Sequence, residues 1–172
     1  MRRPNGLYIL AVAAWLLVAG GCGYFPVGGG DGFLAGRPVN VAIFANRTTR
    51  PRLENVLAKS LRWEVARLSP ASLVSEDRAE LILGGAVTSV AITQISYSAS
   101  DRVKEYRLAL QAEATLTERR SGKVVWKGTE TGQAEYPVSQ DLALQLNAEE
   151  AALKVASERL SARLVRHLLE NF

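Results

Sequence analysis

The stretch Glu105–Tyr136, EYRLALQAEATLTERRSGKVVWKGTETGQAEY, decides the fold. In its first half Tyr106, Leu108, Leu110, Ala112, Ala114 and Leu116 fall on one face of an extended chain, and Glu105, Arg107, Gln111, Glu113, Thr115 and Thr117 fall on the other. Alternation of period two over that length is a strand with one face buried. ERRSGK, with Gly122, is hairpin-turn chemistry, and VVWKGTETGQAEY is the returning strand. The pair therefore has one covered face and one that is wet or meets a partner.

Upstream, residues 79–95 (AELILGGAVTSVAITQI) are rich in branched side chains and form a further strand, in which Gly84-Gly85 marks a bulge or a close backbone approach. SYSASDR then turns the chain back into the central strand. Earlier still, VNVAIF alternates as a strand, and the polar ANRTTRP leads into a helix on which Leu53, Val56, Leu57, Leu61, Val65 and Leu68 share one stripe. Ser69-Pro70 stops that helix. At the other end of the chain Ser139 can cap a helix and Asp141 complements its dipole, while Leu142, Leu146, Leu153, Ala156, Leu160 and Leu164 form its apolar stripe. Such a helix approaches 30 residues, or ~45 Å at ~1.5 Å per residue. The order β-α-β-β-β-α predicts an α+β two-layer sandwich with two helices on one face of a four-stranded sheet.

The first residues follow a different logic. Arg2 and Arg3 precede the apolar run Leu7–Val18, and the small pair Gly20-Gly21 follows it, which is the anatomy of an export signal too short to span a bilayer. Cys22 is the only cysteine of the chain, so it has no intramolecular disulfide partner. Its place immediately after Gly-Gly resembles the lipidated cysteine of bacterial lipoproteins, with Ala19 where that pattern usually carries Leu. Gly23 follows it, in place of the Asp associated with inner-membrane retention, which favours the outer membrane. The expected organisation is a signal peptide over 1–21, a lipidated glycine-rich tether over 22–36 and one folded domain over 37–172.

Catalytic residue types are scarce. His167 is the only histidine, in the last turns of the final helix, where the dipole favours it. With one histidine and Cys22 committed to lipid, neither a metal site nor a nucleophilic triad can be assembled, and LGGAVTS lacks the spacing and the lysine of a phosphate loop. We therefore expect no enzyme, no cofactor and no metal. The formal charge of +4 falls further when Arg2 and Arg3 are removed, too little for a nucleic-acid footprint. What remain are surfaces: Arg102 and Lys104 near the tip of the first hairpin, and Arg119, Arg120 and Lys123 at the second. The up-down-up strand order sends these tips to opposite ends of the sheet.

The lipobox with GCGYFP, the segment VNVAIFANRTTRPRLENVLAKSL, AELILGGAV and the Glu105–Tyr136 block together resemble the LPS-assembly lipoprotein family, LptE, over essentially the whole chain. The resemblance implies an outer-membrane lipoprotein that sits inside the LPS-translocon β-barrel, LptD, plugs it, helps it fold and binds lipopolysaccharide. It also implies that basic residues at one end of the sandwich contact LPS; the matching stretch is SASDRVKEY, which nominates Arg102 and Lys104. VAIFANRTT resembles, in addition, the opening strand of lipoproteins that activate peptidoglycan synthases. The short tether argues against that alternative, since at ~3.3 Å per residue it cannot reach far across the periplasm.

Overall fold

The computed structural model describes residues 32–34, 36–97 and 103–170. Its elements are strands β1 (Val39–Val41) and β2 (Ala45–Asn46), helix α1 (Leu53–Leu68), a single 3-10 turn (Glu76–Arg78), strands β3 (Leu81–Tyr97), β4 (Val103–Glu118) and β5 (Val124–Pro137), and helix α2 (Leu142–Leu169). The class is α+β, as the sequence predicts. The sheet has five strands and not four, because the segment read as one strand is two short ones.

The reason lies at Phe44. Val39 and Val41 are fully buried, but Ile43 points outward at 63% exposure and Phe44 turns into the core. That step breaks the alternation, so β1 pairs in parallel with Leu81–Leu83 and β2 resumes against Ala86–Val87. Gly85 makes room for the ring: a Cβ there would sit 2.8 Å from Phe44 Cε1 and 2.1 Å from the Glu113 carbonyl oxygen. Gly84-Gly85 therefore marks a close approach, and the register irregularities of β3 come later, between Val87 and Ser89, Gln94 and Ser96, and Ser96 and Tyr97.

β3, β4 and β5 form an antiparallel meander, giving the order β1-β3-β4-β5 with β2 also on β3. Leu108, Leu110, Ala112, Ala114 and Leu116 are fully buried, as the alternation requires. Both helices cover this face. On α1 the buried stripe is Leu53, Leu57, Ala58, Leu61, Glu64 and Val65, while Leu68 at its end is 38% exposed. α1 stops at Leu68, ahead of Pro70, and the Ser69 N–H donates to the Val65 carbonyl.

α2 starts at a cap different from the expected one. The Asp141 carboxylate accepts from the N–H groups of Ala143 and Leu144, while the Ser139 hydroxyl accepts from the N–H of Asp141. The stripe also begins later: Leu153, Ala156, Leu160 and Leu164 are buried, but Leu142 and Leu146 are exposed at 72% and 56%. α2 is 28 residues long against 16 for α1, and its first turn and the Leu146 side chain stay largely exposed. At its other end, the Leu34 N–H donates to the Leu168 carbonyl and the Leu34 side chain is buried.

Candidate functional surfaces

Gly132 sets how closely α2 lies on the sheet. A Cβ at that position would fall 1.9 Å from the Ala156 carbonyl oxygen and 2.7 Å from the Leu160 nitrogen, so helix backbone rests directly on strand backbone. The close approach brings α2 side chains to the free edge of β5. Arg159 donates to the Gln133 carbonyl at 2.7 Å and Arg163 to the Thr131 carbonyl at 2.8 Å. One turn further along, His167 Nδ1 lies 2.5 Å from Glu130 Oε1. His167 thus meets a carboxylate of the edge strand in addition to the helix terminus.

The opposite face of the sheet carries no described helix. It is built from the alternate residues of β4 and β5, among them Gln111, Thr115, Thr129 and Thr131, and four of its charges meet in two pairs. Arg107 and Glu135, registered across β4 and β5, meet at 2.7 Å, and Arg47 approaches Glu113 at 3.9 Å. The result is a broad, polar, hydrogen-bonding face of low net charge.

Between the outer sides of α1 and α2 runs an open groove of about 1330 Å³, lined by Val56, Trp63, Leu146 and Val155 and rimmed by charged side chains. Most of those charges are matched: Arg50 with Glu149, Arg67 with Glu64 through two hydrogen bonds, and Lys154 with Glu158 at 4.0 Å. Arg67 also lies over the Trp63 ring, 5.6 Å from its centroid. Glu64 is 4% exposed, so its ion pair with Arg67 offsets the cost of burying a carboxylate. Arg52 begins α1 in the left-handed region (φ 68) without a side-chain cap, an uncommon conformation for a long side chain.

The two hairpin tips do lie at opposite ends, since Tyr97 registers with Val103 and Thr117 with Val124. Lys104 is exposed on β4, and its carbonyl accepts the Val138 N–H at 2.9 Å, which ties the hairpin to the segment leading into α2. Its alternation places it on the face that carries Tyr106, whose ring packs on Tyr136 at 5.6 Å between centroids. Burial pushes the Tyr136 phenol up, against the pull of the nearby Arg50 charge. Arg102 and Cys22 lie outside the described residues.

The second tip is partly bonded into a network, with Arg120 and Lys123 exposed. Arg37 bridges Glu80 and Glu118 at 3.3 Å each, the Ser121 hydroxyl donates to Glu118 at 2.6 Å, and Arg119 donates to the Asp77 carbonyl. The Ser121 hydrogen bond, then Arg37, hold the Glu118 carboxyl below the usual carboxylate range. Among the described residues no three His, Cys, Asp or Glu side chains converge on a metal-sized point, and no helix is long and apolar enough to cross a membrane.

Residues 37–168 match the family model described as LptE, lipopolysaccharide-assembly. No curated protein matches the chain. Among solved structures the fold is shared with a candidate lipoprotein of Caulobacter crescentus CB15 (TM-score 0.54, 14% identity, covering 73% of this chain and 87% of that one). A protein of Xanthomonas campestris has a TM-score of 0.53 at 17% identity, over 77% of this chain and 84% of its own. PelC of Paraburkholderia phytofirmans, a dodecamer, has a TM-score of 0.51 at 17% identity, over 79% and 89%. At these identities the likeness is one of fold.

Proposed function

Since the chain belongs to the lipopolysaccharide-assembly family LptE, we propose that it acts as the lipid-anchored partner of the outer-membrane LPS-translocon barrel, LptD, occupying that barrel's lumen while LPS passes to the outer leaflet. The observation that carries this reading is the family match across nearly the whole folded domain. The open sheet face supports it physically. Thr and Gln side chains with paired charges suit a water-lined barrel interior better than a hydrophobic partner, because each hydroxyl or amide finds a hydrogen bond there without a buried unpaired charge.

In this reading Cys22 carries the lipid and residues 1–21 are removed on export. The β3–β4 end, with Arg102 and Lys104, meets the anionic groups of LPS, where a cation–phosphate hydrogen bond is roughly twice as strong as a neutral one. The chain performs no bond chemistry of its own; it fills, orients and holds. The test is purification of the acylated chain from membranes followed by identification of what accompanies it. A one-to-one complex with a large outer-membrane barrel is the expected result. Recovery without any barrel, with normal barrel assembly in cells depleted of the chain, overturns the reading.

A further inference from the structure

The two edges of this sheet are treated in opposite ways. The β5 edge is guarded: Arg159 and Arg163 occupy the carbonyls of Gln133 and Thr131, the His167–Glu130 pair lies beside them, and Pro137 ends the strand. The other edge belongs to β3 wherever β1 and β2 do not cover it. Those strands stop at Val41 and Asn46, and beyond them the Arg47 N–H reaches the Val87 carbonyl. From Ser89 to Tyr97 no described strand pairs on that side, although β3 stays bonded to β4 along its other edge.

That length, SVAITQISY, unpaired among the described residues, contains no charged residue, no proline and no glycine. Ala91, Thr93, Gln94 and Tyr97 are exposed, as is Ile92 at 42%. Unpaired strand edges are templates for another chain, and proteins ordinarily blunt them with lysine, proline, bulges or a cover. The register irregularities of β3 at Gln94/Ser96 and Ser96/Tyr97 blunt only the end of this stretch. Over the regular run from Ser89 to Gln94 the edge is uncharged, and no described strand covers it, beside a guarded β5 edge: the signature of an edge meant to be paired.

We propose that Ser89–Tyr97 is a strand-addition site that takes an extended, uncharged segment of the barrel partner. The proposal rests on the barrel-partner reading above. A closed barrel wall has no edge to offer, so the donor is a loop or terminal segment outside the wall. Main-chain hydrogen bonds hold it, and the absence of charge along β3 selects an equally uncharged strand. A second copy of this chain fits less well. β2 and the Arg47 loop block the lane below Ser89, which limits self-pairing to one short strand of roughly 30 Å. That contact alone falls short of the ~1,000 Å² that a stable interface needs, whereas a barrel segment arrives as part of a larger contact.

The test is amide hydrogen exchange on the full acylated chain, alone and co-purified with the barrel. In the free chain the Ser89–Tyr97 amides pointing away from β4 exchange fast. In the complex they slow by on the order of 100-fold, while the β5 edge does not change. The double variant Ala91→Lys, Thr93→Glu, whose new acid registers with Arg107, keeps the fold and loses that protection. A barrel complex that forms without protecting these amides overturns the inference and leaves the proposed function standing. Absence of any barrel complex overturns both. Protection already present without the barrel, and removed by dilution, makes a second copy the occupant and overturns the proposal. The wild-type pattern alone decides if the variant misfolds.

Discussion

Replacing Gly132 by alanine adds a single methyl group at the tightest point between helix and sheet. It would sit 1.9 Å from the Ala156 oxygen, 2.7 Å from the Leu160 nitrogen and 2.9 Å from the Ala156 carbonyl carbon. All three are helix backbone, so no rotamer change relieves the overlap. α2 must lift by roughly 1.5 Å to reach ordinary contact, and a gap of ~1 Å already forfeits up to about half of each dispersion well. The lift falls on Leu153, Ala156, Leu160 and Leu164, all of them core. Overpacking costs about 1–3 kcal/mol, and the upper end applies where backbone meets backbone. The lower unfolded-state entropy of alanine returns about 0.5–1 kcal/mol. The net loss is about 2–2.5 kcal/mol, which lowers Tm by roughly 8 °C for a domain of this size. Gly128→Ala is the control, because the atoms nearest its Cβ belong to the half-exposed ring of Trp126, which can turn aside, and not to backbone. Its cost is expected to stay within about 0.5 kcal/mol. Thermal unfolding followed by circular dichroism reads both. Equal Tm values for the two variants would refute the reasoning.

Cys22→Ser is expected to leave the domain folded, with unchanged circular dichroism, and to move the chain out of the membrane fraction; retention in the outer membrane without the barrel counts against lipidation. Reversing Arg102 and Lys104 to Glu should weaken LPS binding in a salt-sensitive way and change stability by less than about 1 kcal/mol. The same reversal at Arg119 and Arg120 should matter less, and the opposite ranking in a binding assay would place the contact at the other end. Glu118 titrates below the usual carboxylate range because Ser121, then Arg37, favour its charged form. A depressed folded-state value means that its contribution is present above the ordinary range and lost as pH falls through the folded value, so the Glu118–Ser121 turn loosens on acidification. Ser121→Ala should raise that midpoint in a carboxyl-carbon NMR titration, and an unmoved midpoint would show that the hydroxyl plays no part. Arg159→Ala with Arg163→Ala should bare the β5 edge and promote self-association by light scattering, and a strictly monomeric double variant would show that the edge is guarded by something else.

The alternation of Leu108 to Leu116 was legible because the central strand obeys one rule along its whole length: helices above, solvent or a partner below. Reading failed where a rule changed partway along an element. VNVAIF looks like one strand by pattern, yet the Phe44 ring enters the space that Gly85 leaves, and the alternation breaks there. The stripe on α2 has its period from Leu142 onward, but periodicity reports which residues share a face and not whether anything lies opposite. Leu142 and Leu146 share the face of Leu153 in part and remain exposed, because α1 is a 16-residue helix and α2 a 28-residue one. Gly132 carried a local signal, a glycine inside a strand, though nothing in the sequence says which backbone comes close. The edge contacts of Arg159 and Arg163 carried none, since an exposed arginine on a helix reads as solvated charge until the neighbouring strand is known.

The same mismatch of lengths gives the molecule its polarity. α1, β1 and β2 cover only the part of the sheet below Ser89; beyond it α2 alone covers β4 and β5, where Leu108, Leu110, Ala134 and Tyr136 are still buried, and the end of β3, the start of β4 and the first turns of α2 are the more open part. Gly32 and Leu34 pack against the far end of α2, at Leu168 and Leu169. The described chain therefore enters the fold at one end, while the β3–β4 end, with Lys104 and the strand edge that no described strand pairs, lies at the other, with the 16-residue β4 between them spanning about 50 Å at ~3.3 Å per residue. A lipid on Cys22 would hold the covered end near a membrane surface and present the uncovered end away from its own attachment point. That division of labour fits a tethered plug: stability sits where the helices are, and the surfaces left open for a partner or for LPS sit where they are not.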